Sequence, residues 1–199
     1  VYLAGGAESM SMIPMTGYKL APSYQANREN LNYNVGMGAT EEAVAAKSKI
    51  TREAADVFSY HSHKKAAEAI DAGKFANQIV PVTVEEVFVA GGQRKTKSHT
   101  VAVDGGVRRD TTVEGLAKLR PAFKMKGVVT AGNASQTSDG AAFTLVVSEA
   151  MVKQLHLQPI ARLAACAVAG VDPLYMGIGP CMAIPKALQQ AGLQLKDIQ

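Results

Sequence analysis

The 199-residue sequence contains no tryptophan and only two cysteines, Cys166 and Cys181. Their spacing matches no metal or redox motif, and two cysteines cannot staple a chain of this size. No apolar run reaches about 18 residues, so we expect no transmembrane helix. The net charge of +4 is too small to indicate a nucleic-acid partner. These absences favour a globular protein of a reducing compartment, and we expect a cytoplasmic location.

The hydrophobic content of 47% and charged content of 19% are typical of a globular chain. Apolar or β-branched runs predict strands at 1–4, 79–89, 141–147 and 161–171. The first is expected to end at Gly5-Gly6, and the last is expected to be buried. Capping residues predict helices at 40–47, with Thr40 as the N-cap, at 51–72, with Thr51 as the N-cap, at 148–154, and at 177–190, with Gly192 as the C-cap. Strands that alternate with helices predict an α/β protein with a buried sheet. Residues 8–38 lack a clean period and predict a long loop.

The basic segment 91–99 lies between two stretches, 82–89 and 99–103, that the pattern predicts to pair as a hairpin. A solvated loop tip is the favoured interpretation of this segment. Contact with nucleic acid is the weaker alternative, because it rests on these residues alone.

The two cysteines and two histidines give little sign of chemistry. Cys166 lies in an apolar run and is expected to be a buried structural thiol. Cys181 lies at a predicted helix N-terminus, which lowers a thiol pKa, but no histidine is near it in the sequence. His61 and His63 are two positions apart on a predicted helix, so they do not share a face and are poor joint metal ligands.

Small residues are concentrated at 131–135, where they allow close approach of a ligand to the backbone. Hydroxyl and free N–H groups there are able to bind a carbonyl or phosphate, although an ordinary tight loop fits equally well. Arg108 and Arg109, with Lys118 and Arg120, are candidate cations for a phosphorylated ligand or ordinary surface charges.

Several segments together resemble the thiolases, the acetyl-CoA C-acyltransferases. The matching stretches are GGAESMS at 5–11, GMGATEE at 36–42, SHKKAA at 62–67, AGKF at 72–75 with IVPV at 79–82, KLRPAF at 118–123, VTAGNAS at 129–135 with SDGAA at 138–142, GVDP at 170–173 and MGIGP at 176–180. They occur in order and cover nearly the whole chain, so jointly they are highly specific.

The resemblance implies an α/β fold of two similar halves, each with a five-stranded sheet, and an α+β loop domain inserted into the first. In this chain it implies incomplete sheet halves and a complete loop domain. The implied domains are 1–6, the end of the N-terminal half; 7–137, the coenzyme A-binding loop domain; 138–158, the return to the N-terminal half; and 159–199, the start of the C-terminal half. The absence of an initiator Met before Val1 and the stop at Gln199 likewise predict a piece of a longer protein.

The resemblance also implies site residues. It places Arg108, Ala131 and Ser135 near coenzyme A, and Phe123 and Met176 on the pantetheine and acyl pocket. The chain departs from the family pattern at two places: Gly36 stands where many members have His, and Gly115 or Leu116 stands where they often have Ser.

No catalytic residue is implied within this chain. The acylated cysteine of the family would precede Val1, and the N-E-A-F, G-H-P-x-G and C-x-G-G-G-x-G motifs would follow Gln199; none of these motifs occurs here. The expected function is a share in cleaving or forming 3-ketoacyl-CoA through a cysteine acyl-enzyme, with this chain inactive alone. Coenzyme A and acyl-CoA would be substrates, with no metal or redox cofactor, no nucleic acid and no membrane partner, in a homodimer or homotetramer. The alternative is a non-catalytic thiolase-like protein that binds coenzyme A or serves a structural role.

Overall fold

The computed structural model describes residues 1–199. Its α-helices span Tyr24–Glu29 (α1), Met37–Ser48 (α2), Arg52–Asp71 (α3), Val113–Ala117 (α4), Glu149–Gln154 (α5) and Gly179–Ala191 (α6). Its strands span Tyr2–Ser9 (β1), Val82–Ala90 (β2), Gln93–Val101 (β3) and Asp139–Val146 (β4). Short 3₁₀ helices span Leu31–Asn34, Pro173–Ile178 and Leu195–Asp197. None of the helices combines the length and the apolar character needed to cross a bilayer.

Strands β1 and β4 form a two-stranded antiparallel ribbon, paired from Tyr2 opposite Val146 to Ser9 opposite Asp139. The predicted break of the first strand at Gly5-Gly6 was wrong, because hydrogen-bonded pairing with β4 keeps both glycines extended. The expected buried sheet was also wrong for this chain. Every residue of β4 is exposed, since only one other strand pairs with it.

Strands β2 and β3 form the expected hairpin, but in a tighter register than predicted. Gly91 and Gly92, with φ of 62° and 76°, make a two-residue turn between Ala90 and Gln93. Positive φ at both positions suits the right-handed twist of a hairpin, and glycine adopts it without strain. The basic residues after the turn therefore lie along β3 and not in a loop tip, which corrects the predicted loop at 91–99.

Two of the three predicted caps, Thr51 and Gly192, were accurate. Thr51 caps α3 by accepting a hydrogen bond from the Ala54 N–H at 3.2 Å. Gly192, with φ of 69°, ends α6 in the left-handed region. The predicted cap at Thr40 was wrong, since α2 already begins at Met37 and the Thr40 hydroxyl donates back to the Met37 carbonyl at 2.7 Å.

The apolar segment 161–171 was predicted to be a buried strand, and this was wrong. The segment has no regular secondary structure, and Cys166 within it is exposed. A strand needs a hydrogen-bonded partner, which 161–171 lacks among the paired strands of this chain.

The chain divides into two compact units. The first comprises Val1–Lys49, Phe123–Met125 and Ser135–Gln199, and the second comprises Ile50–Ala122 and Lys126–Ala134. Buried residues of the first unit lie on α2: Gly38, Thr40, Glu42 and Ala45. Those of the second unit lie on α3, on α4 and in the 128–134 segment: Asp56, Leu116, Val129 and Thr130.

Candidate functional site

The segment 128–134, called here the 128–134 loop, is held by the side chain of Asn133. Its Oδ1 accepts a hydrogen bond from the Thr130 N–H at 2.7 Å, and its Nδ2 donates to the Val128 carbonyl at 2.9 Å. The Ala134 N–H donates to the Thr130 carbonyl at 3.1 Å. One amide side chain thus supplies the partners that an irregular backbone would otherwise seek from water.

An ion pair with a buried carboxylate anchors Asn133 to α3. Asn133 Nδ2 also donates to Asp56 Oδ1 at 3.0 Å, and Arg52 Nε donates to Asp56 Oδ2 at 2.7 Å. The guanidinium of Arg52 reaches on to the carbonyls of Leu119, at 3.1 Å, and Leu116. Asp56 is 1% exposed, so this carboxylate needs these partners to be tolerated in the interior.

The 128–134 loop is also packed tightly against α4. A side chain at Gly132 would overlap the methyl groups of Leu116 and Leu119, and the Gly132 N–H donates to the Thr130 hydroxyl at 3.2 Å. The Ala122 N–H donates to the Val129 carbonyl at 2.9 Å. The loop therefore presents the exposed Ala131 from a fixed backbone.

Arg108 and Arg109 have different surroundings in the same unit. Arg109 Nη1 donates to Asp71 Oδ2 at 2.7 Å, and this bond lowers the pKa of Asp71 and raises the pKa of Arg109. The Arg108 backbone N–H donates to His63 Nδ1 at 3.3 Å. The guanidinium of Arg108 is exposed and makes no ion pair within the chain, so it is the one of the two that is available to a bound anion.

In the first unit, Phe123 and Met176 both lie in segments that contact α2. The Phe123 ring covers Gly38 so closely that a side chain there would overlap it. Met176 belongs to the 3₁₀ helix Pro173–Ile178, where Lys47 of α2 holds its Nζ 3.9 Å from the centre of the Tyr175 ring. Both predicted side chains are partly open to solvent, Phe123 at 54% and Met176 at 43%.

The five predicted site residues fall in both units. Arg108 and Ala131 belong to the second unit, and Phe123, Ser135 and Met176 belong to the first. Ser135 is exposed, and its hydroxyl donates to the Gln136 carbonyl at 3.1 Å. No catalytic role was expected for Cys166 or Cys181, both of which are exposed free thiols. No three His, Cys, Asp or Glu side chains lie close enough together to hold a metal ion.

Sequence reasoning missed Arg52 and Asp56. Their four-residue spacing is the usual signal of an ion pair on one helix face, and such pairs are normally exposed and weak. This pair differs because the carboxylate of Asp56 is buried and because Arg52 also donates to carbonyls more than 60 positions away in the sequence.

The GGAESMS motif ends at a second polar contact, which the sequence did not predict. The Ser11 N–H donates to Asp139 Oδ1 at 2.9 Å, and the Ser11 hydroxyl donates to Asp139 Oδ2. These hydrogen bonds, the hydroxyl first, lower the pKa of Asp139. They close the end of the ribbon where β1 stops and β4 starts.

Comparisons with known proteins show which family this chain resembles. Residues 1–150 match the family described as thiolase, N-terminal domain, and residues 157–199 match thiolase, C-terminal domain. A 3-ketoacyl-CoA thiolase of Bacillus subtilis is 45% identical over 197 residues, which are 98% of this chain and 50% of that protein. The chain spans about half the length of the curated relatives it matches.

Solved structures give the same result for the fold. The crystal structure of human mitochondrial 3-ketoacyl-CoA thiolase in complex with CoA has a TM-score of 0.79 at 38% identity, over 98% of this chain and 49% of that chain. The dimeric peroxisomal thiolase of Saccharomyces cerevisiae has a TM-score of 0.84 at 38% identity, over 98% of this chain and 48% of that chain. The expected thiolase-like α/β fold is confirmed, and the chain belongs to the thiolase family.

Proposed function

We propose that this chain supplies a coenzyme A-binding surface of an acyltransferase that cleaves or forms 3-ketoacyl-CoA. The observation that carries the proposal is the 128–134 loop, which Asn133 and Asp56 fix internally while Ala131 stays exposed. A loop of small residues on a rigid base suits the close approach of a pantetheine arm. Relatives named as 3-ketoacyl-CoA thiolase and a solved thiolase complex with CoA support this ligand class.

Each predicted residue has chemistry suited to one part of the ligand. The unpaired guanidinium of Arg108 suits a phosphate, because a planar fork of N–H donors matches phosphate oxygens. The hydroxyl of Ser135 and the backbone at Ala131 suit the pantetheine amides. The partly exposed side chains of Phe123 and Met176 suit the apolar thioester arm.

The proposed reaction of the whole enzyme has two steps. A cysteine thiolate attacks the 3-keto carbonyl, the bond between C2 and C3 breaks, and acetyl-CoA leaves as an enolate that takes up a proton. The thiolate of CoA then attacks the acyl-enzyme thioester and releases the cysteine thiolate with a shortened acyl-CoA. An oxyanion hole would stabilise the negative charge on oxygen in both steps. The motifs that carry these reacting groups in the family do not occur in the 199 residues, so we propose that this chain binds but does not turn over substrate.

Calorimetric titration of the chain with coenzyme A tests the binding proposal. We expect Arg108→Gln to weaken binding by about tenfold, because it removes a charge-assisted hydrogen bond. Arg94→Gln, which removes an exposed arginine of β3, is the matched control and should bind as the unchanged chain does. Absence of binding by the unchanged chain, or equal weakening by both variants, would contradict the proposal.

The implied domain boundaries are also proposed, with the inserted loop domain at 7–137 between the segments 1–6 and 138–158. The last pair of the ribbon, Ser9 opposite Asp139, supports an insertion, because the chain leaves and re-enters the ribbon at one place. The remaining segment, 159–199, would begin the C-terminal half.

We further propose that the whole enzyme is a homodimer or homotetramer in the cytoplasm, without a metal or redox cofactor. The dimeric peroxisomal thiolase of yeast supports an oligomer. Two free thiols support a reducing compartment.

A further inference from the structure

The orientation of the Asn133 amide determines how the 128–134 loop is bonded. Its Oδ1 must face the Thr130 N–H, and its Nδ2 must face both the Val128 carbonyl and Asp56. Rotated by 180°, the amide would set an NH₂ group against the Thr130 N–H and an oxygen against the Val128 carbonyl. Both loop contacts would then be lost at once, so the loop conformation requires one amide orientation.

Asp56 enforces that orientation. A carboxylate paired with a guanidinium can only accept hydrogen bonds, so the edge of Asn133 that faces it must be the NH₂ group. Arg52 occupies the second carboxylate oxygen and is itself fixed by the Leu116 and Leu119 carbonyls. Because Asp56 is 1% exposed and Thr130 is 0% exposed, water is not available as a substitute partner.

We propose that Asp56 is a positioning residue. As an acceptor-only group it fixes the amide of Asn133 and thereby holds the 128–134 loop in the conformation that presents Ala131 to coenzyme A. The inference rests on the proposed function for its ligand, while its claim about the loop stands on the contacts of this chain alone.

Asp56→Asn tests the inference, because it keeps the shape of the side chain and adds a donor. The new amide is able to donate to Asn133 Oδ1, so the Asn133 amide is free to rotate. We expect amide hydrogen exchange at Thr130 to become about tenfold faster or more, the change that corresponds to one lost buried hydrogen bond. We expect coenzyme A to bind about tenfold more weakly. The matched control is Glu68→Gln, the same chemical change at an exposed position of α3, and it should alter neither quantity.

Two measurements separate positioning from general stability. Exchange is compared at an equal temperature interval below each protein's Tm, and the Asn133 side-chain NH₂ signal is followed by NMR with labelled asparagine. If Asp56 positions the loop, Asp56→Asn accelerates amide exchange more at Thr130 than within α3. It also changes the chemical shift of the Asn133 NH₂ group. Equal exchange at Thr130 in Asp56→Asn and the unchanged chain would overturn the inference, whatever the binding result.

The unchanged chain supplies a test that needs no variant. If Asp56→Asn does not fold, the Thr130 amide of the unchanged chain must still be protected as strongly as the α3 amides around Asp56. Exchange at the rate of an unstructured peptide would overturn the inference. If the unchanged chain does not bind coenzyme A but its Thr130 amide is protected from exchange, the proposed function is wrong. The inference that Asp56 fixes the 128–134 loop then still stands.

Discussion

Two adjacent glycines of β1 show how much a single position depends on its surroundings. A methyl group at Gly5 would overlap the Ala142 carbonyl and the Phe143 ring of β4, whereas one at Gly6 would meet nothing within 4 Å. The sequence motif presents both as equivalent small residues. Only the register of the ribbon distinguishes them.

We therefore expect Gly5→Ala to lower the free energy of unfolding by about 1–3 kcal/mol, the usual cost of overpacking against a backbone that cannot move away. Gly6→Ala is the control and should be neutral or stabilising by up to about 1 kcal/mol, because alanine reduces the freedom of the unfolded chain. Denaturant unfolding followed by circular dichroism measures both. An equal effect of the two substitutions would contradict the assigned register.

At the scale of elements, the contact between Ser11 and Asp139 makes the end of the ribbon sensitive to pH. The pKa of Asp139 is lower in the folded chain than in the unfolded chain, so its contribution to stability is complete above the unfolded value. That contribution is lost as the pH falls through the lowered folded value, below about pH 4.

We expect the Tm of the unchanged chain to exceed that of Asp139→Asn at pH 6, and this difference to shrink as the pH falls below about 4. Thermal unfolding of both proteins across that range measures it. Ser11→Ala is the control, because it removes the hydroxyl that is the largest cause of the lowered pKa. In the Ser11→Ala background, Asp139→Asn should lower the Tm at pH 6 by less than it does in the unchanged chain. A Tm difference independent of pH would contradict the assignment.

Elements with local signals were predictable from the sequence, and elements that depend on distant partners were not. Thr51 and Gly192 mark helix ends through contacts within a few residues, so a short window of sequence contains the information. The segment 161–171 has the composition of a strand but no partner to pair with. The sequence around Asp56 indicates an ordinary surface ion pair. Its contact with Asn133, 77 positions later, is visible only in the structure. The residues near coenzyme A came from the family motif and stay predictions.

At the scale of the whole molecule, the motifs that carry the reacting groups of the family do not occur in the 199 residues. We expect the purified 199-residue chain to show no CoA-dependent cleavage of acetoacetyl-CoA above the uncatalysed rate, because no acylated-cysteine motif and no G-H-P-x-G or C-x-G-G-G-x-G motif occurs in it. Loss of the thioester-enolate absorbance measures the reaction, with the Bacillus subtilis relative as the positive control. Turnover by the chain that disappears in Cys166→Ala or Cys181→Ala would show that one of these thiols reacts.

The two β structures of this chain differ greatly in the sequence distance that each must close. The hairpin of β2 and β3 closes over the two residues Gly91 and Gly92, whereas Ser11 and Asp139 meet across 128 positions. The entropy lost on closing a loop grows with its length, and non-local pairings form slowly for that reason. The hairpin is therefore able to form early in folding. Strands β1 and β4 pair later, and they stay unpaired and apolar until the chain between them has become compact.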